Sequence, residues 1–324
     1  PYDFHDRAAV SNIVTTNSAG DIVDKQVITY QSYDQYGNVL DQTIARTDAL
    51  NNAIDYKVIH NTYTDPIAAR RGNAKTSEIT RYAGDMVDAA KLIDFQRIEN
   101  VSFDAIGNIT LQEISLEVGG KLARFTRIEN SDISNYGDAA TQKITTWSTD
   151  DLGVKLATES SYQVITNRSF DSDHNVLNQK VINYLDASGL VVLDVQEIRN
   201  LSFDTRGNVL EQRIATFTDE LETTLLDVKV ILNEGLDALG NASKVTIRKY
   251  RSGSVDGEVI NYSNFVDASV ITTASFDLRG NALAQTVEKF RAEDLTNKVE
   301  TQAISNAPYD FHDRAAVSNI VTTN

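Results

Sequence analysis

The sequence predicts an all-β protein built from tandem β-hairpins, because it repeats itself at two scales. The segment 1–17 recurs without a change at 308–324, so the block period is 308 − 1 = 307 residues. Within one block, a short turn motif recurs roughly every 30 to 40 residues, a spacing typical of repeat proteins. The predicted organisation is one block of about nine β units over residues 1–307, followed by the start of the next block over residues 308–324.

The turn motif has the form aromatic-Asp-x-x-Gly-Asn. An aspartate side chain can accept hydrogen bonds from turn amides, and glycine readily takes the left-handed conformation. This spacing therefore predicts a type I turn with a bulge, which reverses the chain into a hairpin. The predicted turn pairs are Asp34 and Gly37, Asp104 and Gly107, Asp204 and Gly207, Asp237 and Gly240, and Asp277 and Gly280.

Apolar and amide residues alternate on both sides of each turn, which is the pattern of a strand with one buried face. A β-branched residue follows the motif by six positions, usually with an amide two residues before it. An asparagine stands four positions before most motif aspartates, two residues after an isoleucine. Both amide columns are predicted to be buried and hydrogen-bonded. The glutamine column is Gln42, Gln112, Gln142, Gln179, Gln212 and Gln285, and the asparagine column is Asn61, Asn100, Asn167, Asn200, Asn233 and Asn306.

Two architectures fit these columns. In the first, hairpins join edge to edge into an elongated antiparallel spiral or tube, with variable turns along one rim. In the second, each unit is one coil of a parallel β-solenoid, and the glutamines and asparagines stack as ladders. The turn chemistry and the variable unit length favour the antiparallel arrangement.

Composition excludes several classes of protein. The formal net charge of −16 argues against nucleic acid as a partner. The chain has no cysteine, so disulfides, thiolate metal sites and cysteine nucleophiles are excluded. No apolar run is long enough to predict a transmembrane segment.

The pattern aromatic-Asp-x-x-Gly-Asn-Val/Ile-Leu resembles the YD repeats of the Rhs and teneurin families. That resemblance implies β-hairpins wound into a spiralling shell, which encloses a toxin in Rhs proteins and forms an extracellular barrel in teneurins. It also implies an extracellular or cell-surface location. The 307-residue tandem block is more typical of a giant bacterial fibre or surface protein than of a closed container.

No catalytic site is predicted. The chain has no Gly-x-Ser-x-Gly elbow and no phosphate loop, and its histidines do not have metal-ligand spacing. We therefore expect a protein that is not an enzyme and that has no cofactor. Calcium is the one ion to consider, since acidic turns offer oxygen ligands at Asp150, Asp151, Asp171 and Asp173, although turn capping explains them as well.

The leading functional hypothesis is a structural block of an extracellular fibre, sheath or adhesin stalk that provides length and stiffness. Its partners would be further copies of the same repeat, in the same or neighbouring chains. The alternatives are a Rhs-like shell for toxin delivery and an adhesin module whose variable turns bind proteins or surface glycans.

Overall fold

A computed structural model of the chain describes residues 7–17 and 19–323, which form two compact units, Pro1–Ser160 and Ser161–Asn324. Both units consist of antiparallel strands joined in chain order, which confirms the all-β class and the hairpin arrangement. The alternative parallel solenoid is wrong. The Asp-x-x-Gly turns reverse the chain within a few residues, whereas a parallel pair needs a crossover of a dozen residues or more.

Unit 1 contains nine of the described strands, each paired with the next. They are β1 (Val10–Thr16), β2 (Ile22–Tyr33), β3 (Val39–Asp48), β4 (Ala53–Thr62), β5 (Thr76–Ala83), β6 (Leu92–Phe103), β7 (Ile109–Val118), β8 (Lys121–Ile133) and β9 (Ala139–Ser148). A one-turn helix, α1 (Pro66–Arg70), replaces the Asp-x-x-Gly turn between β4 and β5, and a 3-10 turn covers Ala89–Lys91. Asp65 caps α1 and Pro66 supplies its preset first φ angle.

Unit 2 contains ten of the described strands, again each paired with the next. They are β10 (Ser161–Phe170), β11 (Val176–Tyr184), β12 (Val192–Phe203), β13 (Val209–Phe217), β14 (Leu225–Leu236), β15 (Ala242–Asp256), β16 (Val259–Phe276), β17 (Ala282–Phe290), β18 (Lys298–Asn306) and β19 (Ser318–Thr323). Among the described residues, no helix is long and apolar enough to cross a membrane.

One register rule holds across the hairpins of both units. The β-branched residue six positions after a motif pairs with the isoleucine six positions before the aspartate of its own hairpin, as Ile214 does with Ile198. On its other side it pairs with the residue eight positions before the aspartate of the next hairpin, as Ile214 does with Lys229. Each hairpin is therefore shifted by two residues relative to the one before it.

Five of the hairpins carry a β-bulge just before the turn. In β6 the register shifts between Asn100 and Ser102, so Val101 is the extra residue. The same shift follows Tyr30, Asn167, Asn200 and Thr273. A bulge changes which face the following side chain takes, so the period of two inferred from the sequence is interrupted at this point.

The main apolar core lies in unit 2, beneath a long hairpin. Strands β15 and β16 extend past their neighbours, and we call the extension, residues 251–264, the arm. Ile260 of the arm is 1% exposed and belongs to a cluster with Val195, Phe217 and Val228. A Cβ atom on Gly253 would lie 2.4 Å from the Asn261 carbonyl oxygen and 2.6 Å from Val228 Cγ2, so only glycine fits at this position of the arm.

The described part of unit 1 buries a row of three carboxylates. Asp24, Asp55 and Asp94 are all buried, on β2, β4 and β6. The Nε of Arg46 on β3 lies 3.8 Å from Asp24 Oδ2 and 3.6 Å from Asp55 Oδ1, and Arg81 on β5 forms an ion pair with Asp94. These alternating charges, which we call the charge row, cross five consecutive strands.

Candidate functional site: stacked turns, amide bridges and seam strands

Asp104 shows how the motif builds its turn. Its Oδ1 accepts hydrogen bonds from the backbone N–H groups of Ile106 and Asn108, both at 2.9 Å, and its Oδ2 accepts one from the Asn108 side chain at 2.9 Å. The Gly107 N–H donates to the Asp104 carbonyl at 3.1 Å. The equivalent bonds form at Asp34, Asp204, Asp237 and Asp277.

The motif glycines have the left-handed conformation that the motif predicts. Their φ angles are +88° at Gly37 and Gly107, +80° at Gly207, +89° at Gly240 and +91° at Gly280. In two degenerate units that lack this glycine, His174 and Asp313 take the same role, with φ angles of +65° and +61°. A histidine tolerates this region less well than glycine, so the hydrogen bonds around Asp171 hold the turn.

At Asp104 and Asp171, these hydrogen bonds favour the charged form of the carboxyl group. The bond from the Asn175 side chain is the largest cause that holds the pKa of Asp171 below its ordinary value. At Asp104, burial raises the pKa, but the bonds from Asn108, Ile106 and Gly107 outweigh it and the net shift is downward. Asp104 and Asp171 are therefore hydrogen-bond acceptors with ionised carboxylates at neutral pH.

Each turn rests against the next one along the rim. In unit 1, the side-chain amide of Asn38 donates to the Ala69 carbonyl at 2.7 Å, and that of Asn73 donates to the Gly107 carbonyl at 2.8 Å. In unit 2, a Cβ atom on Gly207 would lie 2.6 Å from Asn175 Oδ1. We call these contiguous turns the turn stack.

The two amide columns meet in a recurring bridge. The Gln112 side chain donates to Asn100 Oδ1 at 2.8 Å, and the Asn100 amide donates to the Ala74 carbonyl at 2.7 Å. Since these three residues lie on or next to three consecutive strands, the bridge ties each hairpin to the one before it. We call this arrangement the amide bridge.

The amide bridge recurs in both units. The glutamine-to-asparagine bond forms from Gln142 to Asn130 at 3.0 Å, from Gln179 to Asn167 at 2.9 Å and from Gln212 to Asn200 at 2.6 Å. The asparagine-to-carbonyl bond forms from Asn61 to Val39, Asn130 to Ile109, Asn200 to Val176, Asn233 to Val209 and Asn306 to Ala282.

The columns differ from the sequence prediction in burial. Four asparagines, Asn61, Asn100, Asn167 and Asn200, are buried, but Asn233 and Asn306 are half-buried. The six glutamines, Gln42, Gln112, Gln142, Gln179, Gln212 and Gln285, are half-buried rather than buried. The short asparagine side chain lies between strands, whereas the longer glutamine extends over it.

Two glutamines also have no asparagine opposite them. Gln42 faces Tyr30, and Gln285 faces Thr273. Conversely, Asn130 belongs to the asparagine column although the sequence prediction omitted it. The turn that follows Asn130 has a serine in place of the motif aspartate: it begins at Ser134, whose Oγ accepts the Tyr136 and Asp138 N–H groups at 3.1 Å. The Gly137-Asp138 pair at the end of that turn matches the Gly-Asn end of the motif, and counting back from it would have placed Asn130 in the asparagine column.

The calcium candidates lie in separate turns. Asp171 Oδ1 accepts N–H groups from Asp173 and Asn175, and Asp150 Oδ1 accepts them from Leu152 and Val154. The carbonyl oxygen of Asp151 accepts the Lys121 ammonium at 2.8 Å. In the described part of the chain, no group of three or more acidic or histidine side chains could hold a metal ion.

The repeated segment forms an edge strand in each of its copies. Residues 11–16 lie in β1, which pairs with β2, and the identical residues 318–323 form β19, which pairs with β18. We call both copies the seam strand. Residues 1–6 of the first copy and residue 324 of the second lie outside the described residues.

Both seam strands are more exposed than the other strands. Ile13 is 43% exposed and its copy Ile320 is 57% exposed, whereas the isoleucines at the same motif position in strands with two neighbours, such as Ile44 and Ile214, are half-buried. Val321 is 64% exposed. Each copy exposes apolar surface at the edge where a neighbouring strand would lie.

The sequence matches no protein-family model and no curated protein. Among solved structures, it is similar to a chain of the Tc holotoxin pore of Photorhabdus luminescens, with 12% identity and a TM-score of 0.16 over 98% of this chain and 19% of that chain. The crystal structures of TcdB2-TccC3-TEV and of TcdB2-TccC3 show 12% and 11% identity, each with a TM-score of 0.15, over 97% and 98% of this chain. The chain spans about a fifth of the length of these structures.

Proposed function

We propose that this chain is a structural block of an extracellular fibre or stalk, in which one β-sheet continues from each 307-residue block into the next. The observation that carries this proposal is the register of the two seam strands. One copy, β1, pairs with β2, and the other copy, β19, pairs with β18. Between them, the two copies therefore have both of the neighbouring strands that one strand has inside a block.

Ile320 pairs with Ile304, which stands six positions before the motif aspartate of its own hairpin, Asp310. Ile13, the same residue of the repeat, pairs with Gln26, which stands eight positions before Asp34. These two offsets are the ones that Ile214 shows within unit 2 and that Ile79 shows within unit 1.

In a tandem chain the two copies become one strand. That strand would pair with β18 of its own block and with β2 of the next block, in the register of every other hairpin. The exposed Ile13 and Ile320 would then be covered from both sides. The junction between blocks would be as strong as the interior, because repeats gain their stability from neighbouring units.

The remaining features suit a long surface structure. The turn stack leaves few free turn amides along its rim, and the net charge of −16 disfavours clumping of neighbouring fibres. The extracellular location rests on the resemblance of the turn motif to YD repeats. That motif also favours the second candidate, a Rhs-like shell.

Purified polypeptides of one, two and three blocks would test the proposal by small-angle scattering and electron microscopy. We expect the particle length to increase by the same step with each block, without flexible joints. Compact particles of rounded outline would favour the shell, and beads on flexible linkers would contradict both candidates. Replacing Ile320 and Val321 at the first junction with proline should create one flexible joint, whereas threonine at both positions, which keeps the N–H groups, should not.

A further inference from the structure

We propose that a pocket in unit 1 binds an acidic side chain on an extended peptide of a partner protein. The pocket has a volume of about 280 Å³ and lies across strands β6 to β9. Sites for whole small molecules typically have volumes of roughly 300 to 1,000 Å³, so this pocket fits one side chain with the backbone beside it. We call it the unit 1 pocket. The inference goes beyond the proposed fibre and does not depend on it.

The unit 1 pocket contains polar groups that the described chain leaves without hydrogen bonds. Its cations are Arg127 on β8 and Lys143 on β9. Arg127 Nε lies 3.4 Å from Glu129 Oε1, but among the described residues the guanidinium donates no hydrogen bond. In the same part of the chain, the Lys143 ammonium has neither a hydrogen bond nor an ion pair. Guanidinium and ammonium groups form strong, charge-assisted hydrogen bonds with carboxylates.

Three residues of unit 2 stand at the repeat positions of the charged residues in the pocket. The first two stand seven and five positions before the first residue of their turn, and the third stands five positions after its last residue. In each unit the second and third residues face each other across neighbouring strands. The equivalent residues are Glu197 for Arg127, Arg199 for Glu129 and Arg213 for Lys143. Each set contains two cations and one carboxylate, so unit 2 shows what such an arrangement can bind.

In unit 2 these positions hold the tip of the arm. The Arg199 guanidinium donates to the Gly257 carbonyl at 2.7 Å. Gly257 lies between the acidic residues Asp256 and Glu258. The Glu258 carboxylate accepts a hydrogen bond from the Ser169 hydroxyl at 3.4 Å. An extended, acidic segment is therefore the ligand that this arrangement binds within the chain itself.

The two units differ in whether these positions are covered. Under the arm, the side chains of Glu197 and Arg199 are 1% and 3% exposed. The side chains of Arg127 and Glu129 are 41% and 51% exposed. The arm has no counterpart among the described strands of unit 1. A segment of a partner protein can therefore take the place that the arm takes in unit 2.

The ion pair inside the pocket does not prevent the binding of a second carboxylate. In unit 2, Arg199 Nη1 lies 3.0 Å from Glu197 Oε2 while the same guanidinium donates to the arm. Arg127 can likewise keep its pair with Glu129 and donate from its other N–H groups to an incoming carboxylate. Lys143 provides a second positive charge, so the pocket favours an acidic side chain over a basic or neutral one.

The probe that tests this proposal is a cyclic peptide of residues 252–263, which contains the acidic tip of the arm and whose two ends pair in the arm. Its matched control carries Asp256→Asn and Glu258→Gln. Fluorescence anisotropy measures the binding of each labelled peptide to the full 324-residue chain. We expect the acidic peptide to bind at one site and the control to bind at least about tenfold more weakly, because charge-assisted hydrogen bonds are about twice as strong as neutral ones. Equal affinities would overturn the proposal.

Variants of the chain test whether the peptide binds in the pocket. Arg127→Gln and Lys143→Gln should each weaken the binding of the acidic peptide by about tenfold. Arg124→Gln is the control, since it makes the same change in charge on β8 but lies three residues away, on the other face of the strand. Circular dichroism establishes that each variant keeps its β structure. An equal loss of affinity in the Arg124 and Arg127 variants would indicate general charge attraction and contradict the proposal.

Hydrogen exchange followed by mass spectrometry locates the bound peptide. We expect new protection in β7 to β9. Protection in β12 and β13 instead would mean that the peptide replaces the arm, and the proposal would fail. It would fail as well if a heparin oligosaccharide bound in the pocket and the acidic peptide did not, since the ligand would then be a glycan. The length of multi-block polypeptides tests the fibre separately, so either proposal can fail while the other stands.

Discussion

The two units contain the same repeat, but different buried side chains stabilise their strands. Both use Asp-x-x-Gly turns, amide bridges and the same register rule, yet their buried residues differ in kind. Unit 2 buries Val195, Phe217, Val228 and Ile260 under the arm, whereas the buried apolar residues described in unit 1 are alanines. The comparison shows that the repeat sets the strand register in both units. Stability depends on local features that differ, namely the arm in unit 2 and the charge row in unit 1.

The difference arises at the rim opposite the turn stack. In unit 2 the β15–β16 connection lengthens into the arm, and the Arg199 guanidinium donates to the Gly257 carbonyl at its tip, at 2.7 Å from Nη2. Arg199 also pairs with the buried Glu197, which accepts a two-pronged contact from Arg168 at 2.6 and 2.7 Å. In unit 1, the charge row extends across strands β2 to β6 instead.

The largest expected effect comes from the arm. Ile260→Ala should lower the free energy of unfolding of unit 2 by about 2 to 5 kcal/mol, because the side chain is fully buried and leaves a cavity. Hydrogen exchange followed by mass spectrometry measures unit 2, and the fluorescence of Trp147, the single tryptophan, measures unit 1. The exposed Ile320→Ala is the control. An equal shift of the Trp147 transition would show that the units do not differ in the way described.

The charge row should show the next largest effect. Arg46→Met removes the cation between two buried carboxylates and should destabilise unit 1 by about 3 kcal/mol. Adding Asp24→Asn and Asp55→Asn should recover part of the loss, because the uncompensated charges are then gone. Arg127→Met, which breaks an exposed pair with Glu129, should change stability by less than about 1 kcal/mol. Urea titration followed by Trp147 fluorescence distinguishes these cases.

Gln212→Leu should have a smaller effect that stays within its unit. It removes the donor to Asn200 Oδ1 and should cost about 1 to 3 kcal/mol. Gln285→Leu is the matched control, since Gln285 faces Thr273 rather than an asparagine, and its effect should be smaller. Hydrogen exchange of β12 and β13 compared with β16 and β17 provides the measurement. Equal protection losses at both sites would contradict the role of the bridge.

Acid should weaken both units through their turns. The pKa values of Asp48 and Asp171 are lowered, mainly by hydrogen bonds from the side chains of Asn52 and Asn175. A carboxyl whose pKa is lower in the folded state stabilises above its unfolded pKa of about 4 and loses that contribution as pH falls through the folded value. The urea midpoint should therefore decrease below about pH 4. In an Asp48→Asn, Asp171→Asn variant this decrease should be shallower, and an unchanged slope would contradict the assignment.

Much of the fold could be predicted from the sequence because its determinants are local. The Asp104 to Asn108 turn, the alternation around Ile114 and the pairing of Asn100 with Gln112 all follow from spacing along the chain. The arm and the charge row, which stabilise the strands of the two units, could not be predicted. The arm depends on the close approach of Gly253 to Val228, and the charge row depends on strands that are neighbours only after folding.

The candidate site divides in the same way. The turn glycines have the predicted conformation, but the glutamines are less buried than the alternation of residues along the strand suggested. Alternation shows which face of the sheet a side chain lies on, and it does not show how deeply that side chain is buried. The seam strand was visible in the sequence as a repeat. Its two different partners, β18 and β2, emerged only from the strand register.

The number of strands in a block has a genetic consequence. From β2 to β19, within residues 19–323, the chain runs through eighteen strands. In the proposed fibre, where every strand pairs antiparallel with the next, an even number returns the chain to the seam with the direction in which it left. In that fibre, unequal recombination between identical blocks would add or delete whole blocks without reversing the direction of the strands at the seam. A lineage could change the length of such a fibre by copy number alone, with no new junction to select.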